Sequence, residues 1–337
     1  MEQPSSLKID AYSHIVPPKY KEVLDKIAPE QVESKIAYFR SLYDLDNRFE
    51  IMDKHEPLRQ VLTLAWPPVE EIADSVKAPE LAKLANDEMA DLVIRYPDRF
   101  VAAIASLPMN NIDAALNEVD RAIKDLGFRG VYVHTPVNDK PLDLPEFMPL
   151  YEKMSQYDLP IFIHPMRLFN YSDYRTEDIS KYGIASTFGW PYETTVAMAR
   201  LVFSGIMEKY PNLKIVTHHC GGMVPYFAER IAQFSHFGQR SLAKEGQPSS
   251  TKAVIDYYRM FYGDTALYGN TTALMCAYDF FSADHLLFGA DFPLGDIEAG
   301  KGSYGRTINA IEQMDITEVE KKKIYEDNAR SLLRLPQ

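Results

Sequence analysis

The strongest constraint on the fold of this chain is a repeated alternation of short apolar strands and amphipathic helices. Eight such strands are predicted, the first opening at Leu7 and the last three covering residues 213–219, 260–264 and 285–291. Most are followed by a helical pattern, as in residues 79–96, where apolar side chains recur at helical spacing. A helix is predicted over residues 271–281, and a polar surface excursion over residues 239–252. Buried strands joined by helices form parallel sheets with the helices outside. The alternation therefore predicts an α/β protein.

The number of units narrows the architecture to a barrel. Eight strand–helix units in 337 residues fit a (β/α)8 TIM barrel better than an open doubly wound sheet. No dinucleotide fingerprint or phosphate-binding glycine loop favours the open sheet. We expect a helical insertion after the first strand, in residues 18–58, and a long irregular segment after the fifth, in residues 166–189, as a lid or a subunit contact. No linker divides the chain, so one domain over residues 1–337 is expected.

Composition excludes several classes of partner. The formal net charge is −12, which disfavours nucleic acid and anionic membrane surfaces as partners. The two cysteines, Cys220 and Cys276, give no disulfide framework and suit a reducing compartment. No apolar run approaches the ~18 residues of a membrane span, and the N-terminal residues lack the apolar region of a signal peptide. We therefore expect a cytoplasmic protein.

Ionisable side chains gather at the predicted ends of the strands. They are Tyr12, His14, His134, His164, His219 and Asp291. The carboxyl ends of barrel strands carry the chemistry in this fold, because the stabilising apolar layers lie below them. Imidazole and carboxylate groups that meet there suit a divalent metal such as zinc, iron or manganese. Any one histidine could simply hydrogen-bond a loop, but the set favours a metal site.

Several motifs, in order along the chain, resemble one known family. Residues 10–17 resemble its opening Asp-x-His-x-His motif, and residues 159–165 its fifth-strand His-Pro. Residues 219–225 resemble its His-x-Gly-Gly block, and residues 288–293 its Phe-Gly-x-Asp-x-Pro ending. Over nearly its whole length the sequence resembles the amidohydrolase-related family of the aminocarboxymuconate-semialdehyde decarboxylase type, a branch of the metal-dependent amidohydrolase superfamily.

The resemblance implies a role for each matching residue. His14, His164 and Asp291 would be metal ligands, and His219 would position or protonate the reacting group with help from Asp291. Arg230 would be a helical arginine near the substrate or behind the residues that contact it. The implied cofactor is a divalent metal, zinc first, with manganese or iron as alternatives. The implied reaction is decarboxylation of a small aromatic or unsaturated carboxylic acid by a homodimer.

One position departs from the family pattern. Where the first metal ligand is normally His, and Glu in some branches, this chain has Tyr12. A phenol has an ordinary pKa of about 10 and ligates well only when a metal lowers that value. Three outcomes are open: Tyr12 binds as a phenolate, three protein ligands suffice, or metal binding is weak or lost. His134 could substitute as a ligand, although a hydrogen bond to the substrate is the favoured role.

The substrate contacts and the reaction are less determined by the sequence. Trp66 and Trp190 offer flat faces to an aromatic ring, with core or subunit packing as an equal alternative. Arg48 could clamp a substrate carboxylate, but a solvated or salt-bridged arginine is the favoured expectation. Beside the decarboxylase we keep a metal-dependent hydrolase or hydratase of the same fold, and a catalytically degenerate scaffold subunit, which the tyrosine at position 12 suggests.

Overall fold

Parallel strands form the centre of the molecule. The computed structural model describes residues 6–34, 36–168, 170–244, 251–294 and 302–336. Its strands are β1 Lys8–Ile15, β2 Leu58–Leu64, β3 Phe100–Ala103, β4 Ala105–Ser106, β5 Val131–Thr135, β6 Ile161–Pro165, β7 Ile215–Thr217, β8 Tyr262–Asp264 and β9 Leu286–Leu287. They pair in chain order, β1 to β3 in one sheet and β4 to β9 in another, and every pair is parallel.

Backbone hydrogen bonds join the two sheets into a ring. Only Ile104 separates β3 from β4, and its N–H donates to the carbonyl oxygen of Leu62 at 2.9 Å. On the other side, the Ala11 N–H donates to the Phe288 carbonyl oxygen at 2.8 Å, directly after β9. With β3 and β4 counted as one interrupted strand, the ring has the eight strands that the sequence predicts. The expected (β/α)8 barrel is confirmed.

Helices surround the ring. They are α1 Pro18–Ile27, α2 Pro29–Ser34, α3 Leu45–Asp53, α4 Val69–Ile72, α5 Ala78–Arg95, α6 Ile112–Lys124, α7 Met148–Tyr157, α8 Trp190–Phe203, α9 Ile206–Lys209, α10 Ala228–Lys244, α11 Val254–Tyr258, α12 Thr271–Phe281, α13 Ser303–Glu312, α14 Glu318–Lys322 and α15 Asn328–Leu333. Helices α1 to α3 form the predicted insertion after β1. Between β6 and α8, the described residues hold only turns, bends and a π-helical turn at Ala185–Gly189, as expected of the long segment.

The core has two layers. One apolar cluster lies between the strands and the helices, and a second fills the barrel with side chains such as Ile9, Val61 and Phe162. Leu332 and Leu333 of α15 join the inner cluster. Because apolar side chains occupy the interior, its buried ionisable groups collect at the carboxyl ends of the strands.

Two predicted boundaries differ from the structure. The strand predicted over residues 213–219 is only Ile215–Thr217, so both following histidines lie beyond it. The surface excursion predicted over residues 239–252 is wrong at its start, because α10 continues to Lys244. Residues 245–250 lie outside the described part of the chain. None of the described helices is both long and apolar enough to cross a membrane.

Candidate metal centre and active site

Ionisable side chains from across the barrel converge at its carboxyl-terminal mouth. Tyr12 and His14 come from β1, and the other strands or the segments directly after them supply His134, His164, His218, His219, Asp264 and Asp291. All eight side chains are buried. Their convergence explains why residues so remote in the chain can act together.

Two overlapping groups within this cluster have the spacing of a metal site. In one, the ligand atoms of His14, His164 and His218 lie within 4.8 Å of one another, and in the other those of His218, His219 and Asp291 do. Asp291 Oδ1 lies 3.3 Å from His14 Nε2 and 3.1 Å from His218 Nε2. Imidazole nitrogen and carboxylate oxygen are the donors that zinc and manganese take in proteins. The residues present therefore fit a divalent ion.

In three of these histidines an oxygen atom of the protein holds Nδ1. His14 Nδ1 lies 3.2 Å from Thr63 Oγ1, and His164 Nδ1 lies 2.7 Å from the Pro165 carbonyl oxygen. His219 Nδ1 lies 3.3 Å from the Ala266 carbonyl oxygen. Such anchors set the orientation of a histidine and leave Nε2 as the atom for a metal or a substrate.

Electrostatics separate the histidines into two kinds. Burial lowers the pKa of both His14 and His164, and they are neutral imidazoles as a result. Burial alone would also lower the pKa of His218, but the carboxylates of Asp264 and Asp291 outweigh burial and raise it. Burial alone would raise the pKa of Asp291, yet its imidazole neighbours, His218 first, hold it well below the usual range. The positively charged form of His218 is therefore favoured, because its ring lies between the carboxylates of Asp264 and Asp291.

An unusual backbone path brings His218 and His219 to the same pocket. On a regular strand, neighbours face opposite sides, but β7 ends at Thr217 and φ becomes +52° at His219. Positive φ continues through Gly222, where a Cβ atom would lie 2.3 Å from the Pro191 carbonyl oxygen. The Cys220 N–H donates to Asp264 Oδ1 at 2.9 Å and secures the turn. The two imidazole ring centres are consequently only 4.0 Å apart.

Tyr12 lies beneath this cluster as a packed aromatic ring. Its ring stacks on His218 with the centroids 4.3 Å apart, and it meets Phe162 edge-on at 5.2 Å. The side chain is buried, and its hydroxyl has no hydrogen-bond partner among the described residues. Burial raises the pKa of Tyr12 well above its ordinary value, so the phenol is neutral here.

The predicted substrate residues occupy different places. Trp66 lines a small cavity with His14 and His164, and the Trp190 ring lies 5.6 Å from that of His164. Trp190 also lines an open pocket of about 360 Å³ together with His219. The His134 ring lies 5.5 Å from that of His164, and its Nε2 has no partner among the described residues.

Arg230 lies apart from the buried residues. It is exposed on α10, and its guanidinium lies 4.8 Å from the ring centroid of Phe234. The structure therefore does not bring it into the histidine cluster, and its substrate role stays a prediction.

Sequence reasoning missed three residues of the site. His218 is recognisable only as the neighbour of His219, and the alternation of side chains along a strand would turn the two apart. Asp264 is the last residue of a predicted strand, which is the signal that could have identified it. Tyr268, whose hydroxyl donates to Asp291 Oδ2 at 2.5 Å, lies in a loop and carries no such signal.

Arg48 was also placed wrongly, because it is not solvated. It is fully buried, and its guanidinium donates to the His14 carbonyl oxygen at 2.8 Å and to Ser13 Oγ at 2.7 Å. It supports the strand that carries Tyr12 and His14.

Comparison with known proteins agrees with this geometry. The sequence profile of the family described as Amidohydrolase matches residues 14–335. The chain belongs to this family. The resemblance drawn from the motifs is thereby confirmed, and so is the prediction of an enzyme.

Three similar proteins of this amidohydrolase family are decarboxylases. A gamma-resorcylate decarboxylase of Polaromonas sp. is 33% identical over 86% of this chain and 87% of its own length. A 2-amino-3-carboxymuconate-6-semialdehyde decarboxylase of Dictyostelium discoideum is 26% identical over 98% of this chain and 92% of its own. The crystal structure of a dihydroxybenzoic acid decarboxylase from Polaromonas sp., with bound manganese and the inhibitor 2-nitroresorcinol, is 30% identical. It covers 98% of this chain and 97% of that chain, with a TM-score of 0.81.

Proposed function

We propose that this amidohydrolase-family protein is a metal-dependent decarboxylase of a small aromatic carboxylic acid. The observation that carries the proposal is the buried cluster of imidazoles and Asp291 at the barrel mouth, with aromatic side chains beside it. The relatives named above support the reaction, because they are decarboxylases that match most of this chain.

A divalent ion would be held by His14, His164 and Asp291. His14 Nε2 already lies 3.3 Å from Asp291 Oδ1, and the His14 and His164 ring centres are 5.1 Å apart. When bound, such an ion polarises a substrate oxygen and stabilises negative charge on it. Manganese in the similar crystal structure makes it the first ion to test, with zinc as the alternative.

The walls of the site suit a flat ring with an acid group. Trp190 and His219 have nearly parallel rings, 22° apart with centroids 6.3 Å apart, along one side of the open pocket. Its volume of about 360 Å³ is within the ~300–1,000 Å³ typical of small-molecule sites. Trp66 lines a separate small cavity beside His14 and His164. His134 Nε2, which has no partner among the described residues, would hydrogen-bond a substrate oxygen.

His219 is the proposed proton carrier. As CO2 leaves, the bond between the ring carbon and the carboxyl carbon breaks, and its electron pair stays on the ring carbon, which must take up a proton. Burial, and after it His218, lower the pKa of His219 to about 4, so the resting imidazole is neutral. His219 takes up a proton from water at Nε2 and passes it to the ring carbon, while the Ala266 carbonyl oxygen holds Nδ1. Asp291, whose Oδ2 accepts the Tyr268 hydrogen bond, assists by stabilising the charged imidazole.

CO2 release from dihydroxybenzoates by purified protein, supplied with manganese or zinc, tests this proposal. We expect CO2 release that depends on the metal, and we expect His219→Asn to abolish it while metal content stays unchanged. His236→Asn, on exposed α10, is the control and should retain full activity. Hydrolysis of lactones or esters without CO2 release would instead favour a hydrolase. Protein that takes up no metal under any condition would favour the degenerate scaffold.

Assembly and location complete the proposal. We infer a homodimer in the cytoplasm, on the family resemblance and on the composition, with one domain formed by the single barrel. Sedimentation of the purified chain tests the number of subunits.

A further inference from the structure

We infer that His218, and not Tyr12, completes the metal site of this chain, and that Asp264 positions it. The inference deepens the proposed function, since it concerns the ion on which that function rests. At position 12, Tyr12 replaces the residue that is the first metal ligand in the family pattern.

The surroundings of Tyr12 are those of a packing residue. Its ring belongs to the apolar cluster inside the barrel, between Phe162 on one side and the His218 ring on the other. Its hydroxyl has no hydrogen-bond partner among the described residues. A phenol packed in an apolar cluster is a poor ligand compared with imidazole. Tyr12 therefore supplies a flat surface beneath His218.

His218 has the geometry of a ligand. Its Nε2 lies 3.1 Å from Asp291 Oδ1, the same oxygen that lies 3.3 Å from His14 Nε2. Its ligand atom is also within 4.8 Å of those of His14 and His164. An ion with metal–nitrogen distances of ~2.0–2.1 Å requires its ligand atoms this close to one another. The three imidazoles and Asp291 thus offer four protein donors without Tyr12.

Asp264 holds the ring nitrogen of His218 that faces away from the ion, as carboxylates commonly do for metal-binding histidines. Its Oδ2 contacts His218 Nδ1, and its Oδ1 accepts the N–H groups of Cys220 at 2.9 Å and Ala266 at 3.1 Å. A carboxylate held in this way fixes the proton on Nδ1 and leaves the lone pair of Nε2 for the ion. The Nδ1 atoms of His14 and His164 lie against oxygen atoms of Thr63 and Pro165. In all three imidazoles, Nδ1 is therefore held by an oxygen atom and Nε2 is left for the ion.

Metal affinity of matched variants tests the inference. The full chain is freed of metal with a chelator and titrated with Mn²⁺ or Zn²⁺, and circular dichroism and thermal unfolding verify that each variant is folded. Tyr12→Phe keeps the stacked ring and removes only the phenolic oxygen, so we expect its affinity to equal that of the wild type. Asp264→Asn should weaken binding by about 10–100-fold, the range for an outer-shell partner, and His218→Gln by at least as much.

Cobalt-substituted wild-type protein gives a second measurement that needs no His218 variant to fold. Imidazoles bound to Co²⁺ show strongly shifted Nδ1–H proton resonances, and these protons are hydrogen-bonded here and slow to exchange. We expect one such signal for each of His14, His164 and His218, unchanged in Tyr12→Phe. Signals from only His14 and His164, or a loss of affinity in Tyr12→Phe with normal affinity in folded His218→Gln, would overturn the inference.

The result is distinguishable from the outcome for the proposed function. Normal metal affinity in His218→Gln, with CO2 release by the wild type, would refute the role of His218 and leave the decarboxylase intact. Loss of metal in His218→Gln, with no CO2 release by the wild type from any acid, would support the role of His218 and refute the decarboxylase.

Discussion

At the scale of single residues, the sequence predicts which side chains are chemically active better than it predicts their environment. His14, His164 and Asp291 are recognisable from their places at strand ends, and the structure brings them to one buried site. That His218 and His219 share one pocket could not be predicted, because His218 continues the strand alternation inward whereas His219 turns inward through positive φ angles that begin at His219 itself. The depth at which Tyr12 is buried depends on rings from other strands, which no local pattern specifies.

Glu70 in α4 is a residue whose burial has a measurable consequence. It is 6% exposed, and burial raises its pKa from 4.5 to about 8. Between these two values the unfolded chain releases a proton that the folded chain keeps, so the free energy of unfolding decreases as the pH rises from about 4.5 to 8. We expect Glu70→Gln to remove this decrease, which amounts to a few kcal/mol, and to be more stable than the wild type at pH 8.5.

Urea unfolding of both proteins at pH 5 and pH 8.5 measures the effect. The control is Glu80→Gln, since Glu80 is exposed on α5, and its difference from the wild type should be the same at both pH values. Wild type and Glu70→Gln with equal stability at every pH would show that Glu70 is ionised in the folded protein.

At the scale of elements, periodicity predicts the strands and most helices, and the segments between them are where it fails. Helix α12 lies at the predicted residues 271–281, because its apolar face follows the helical period. Strand β7 is shorter than its apolar run because the chain leaves the extended conformation after His218, with positive φ beginning at His219. The burial of Arg48 is likewise decided by contacts that are distant in the sequence. Its polarity suggests solvent, but its partners are backbone and side-chain groups from three other segments.

Arg48 is the link between the inserted helices and β1. It lies in α3 and donates to the His14 and Ser41 carbonyl oxygens and to Gln60 Oε1, at 2.8, 3.1 and 2.7 Å. Arg48→Met would leave these buried acceptors without a donor, so we expect a loss of about 3–5 kcal/mol in the free energy of unfolding. Denaturant titration measures it.

Arg40→Met is the matched control for that measurement. Arg40 pairs with Asp44 at 2.7 Å on the exposed side of the same insertion, and a surface pair of this kind contributes little because solvent screens it. Equal losses in the two variants would mean that the buried hydrogen bonds of Arg48 contribute no more than a surface ion pair.

At the scale of the whole molecule, the ring of strands turns distant positions of the chain into neighbours. The eight-strand count and the strand order follow from the sequence, since parallel strands joined by helices pair in succession. The contacts that close the ring, between Ala11 and Phe288 and between His14 and Phe292, are long-range and have no local signal. The proposed metal ligands lie on both sides of this closure, His14 on β1 and Asp291 after β9, so a bound ion would connect the two ends of the barrel.

This arrangement predicts that a divalent ion stabilises the entire fold. An ion that binds only the folded chain adds RT ln(1 + [ion]/Kd), about 2.7 kcal/mol when the free ion is at about 100 times its Kd. For a domain of this size we expect the thermal midpoint of metal-free protein to rise by a few degrees on addition of Mn²⁺ or Zn²⁺. The rise should disappear in His14→Ala, since the ion then loses its contact with the first strand. It should persist in His236→Ala, which removes an exposed histidine on α10 and controls for binding at the surface. A rise of equal size in all three proteins would place the stabilising ion outside the barrel mouth.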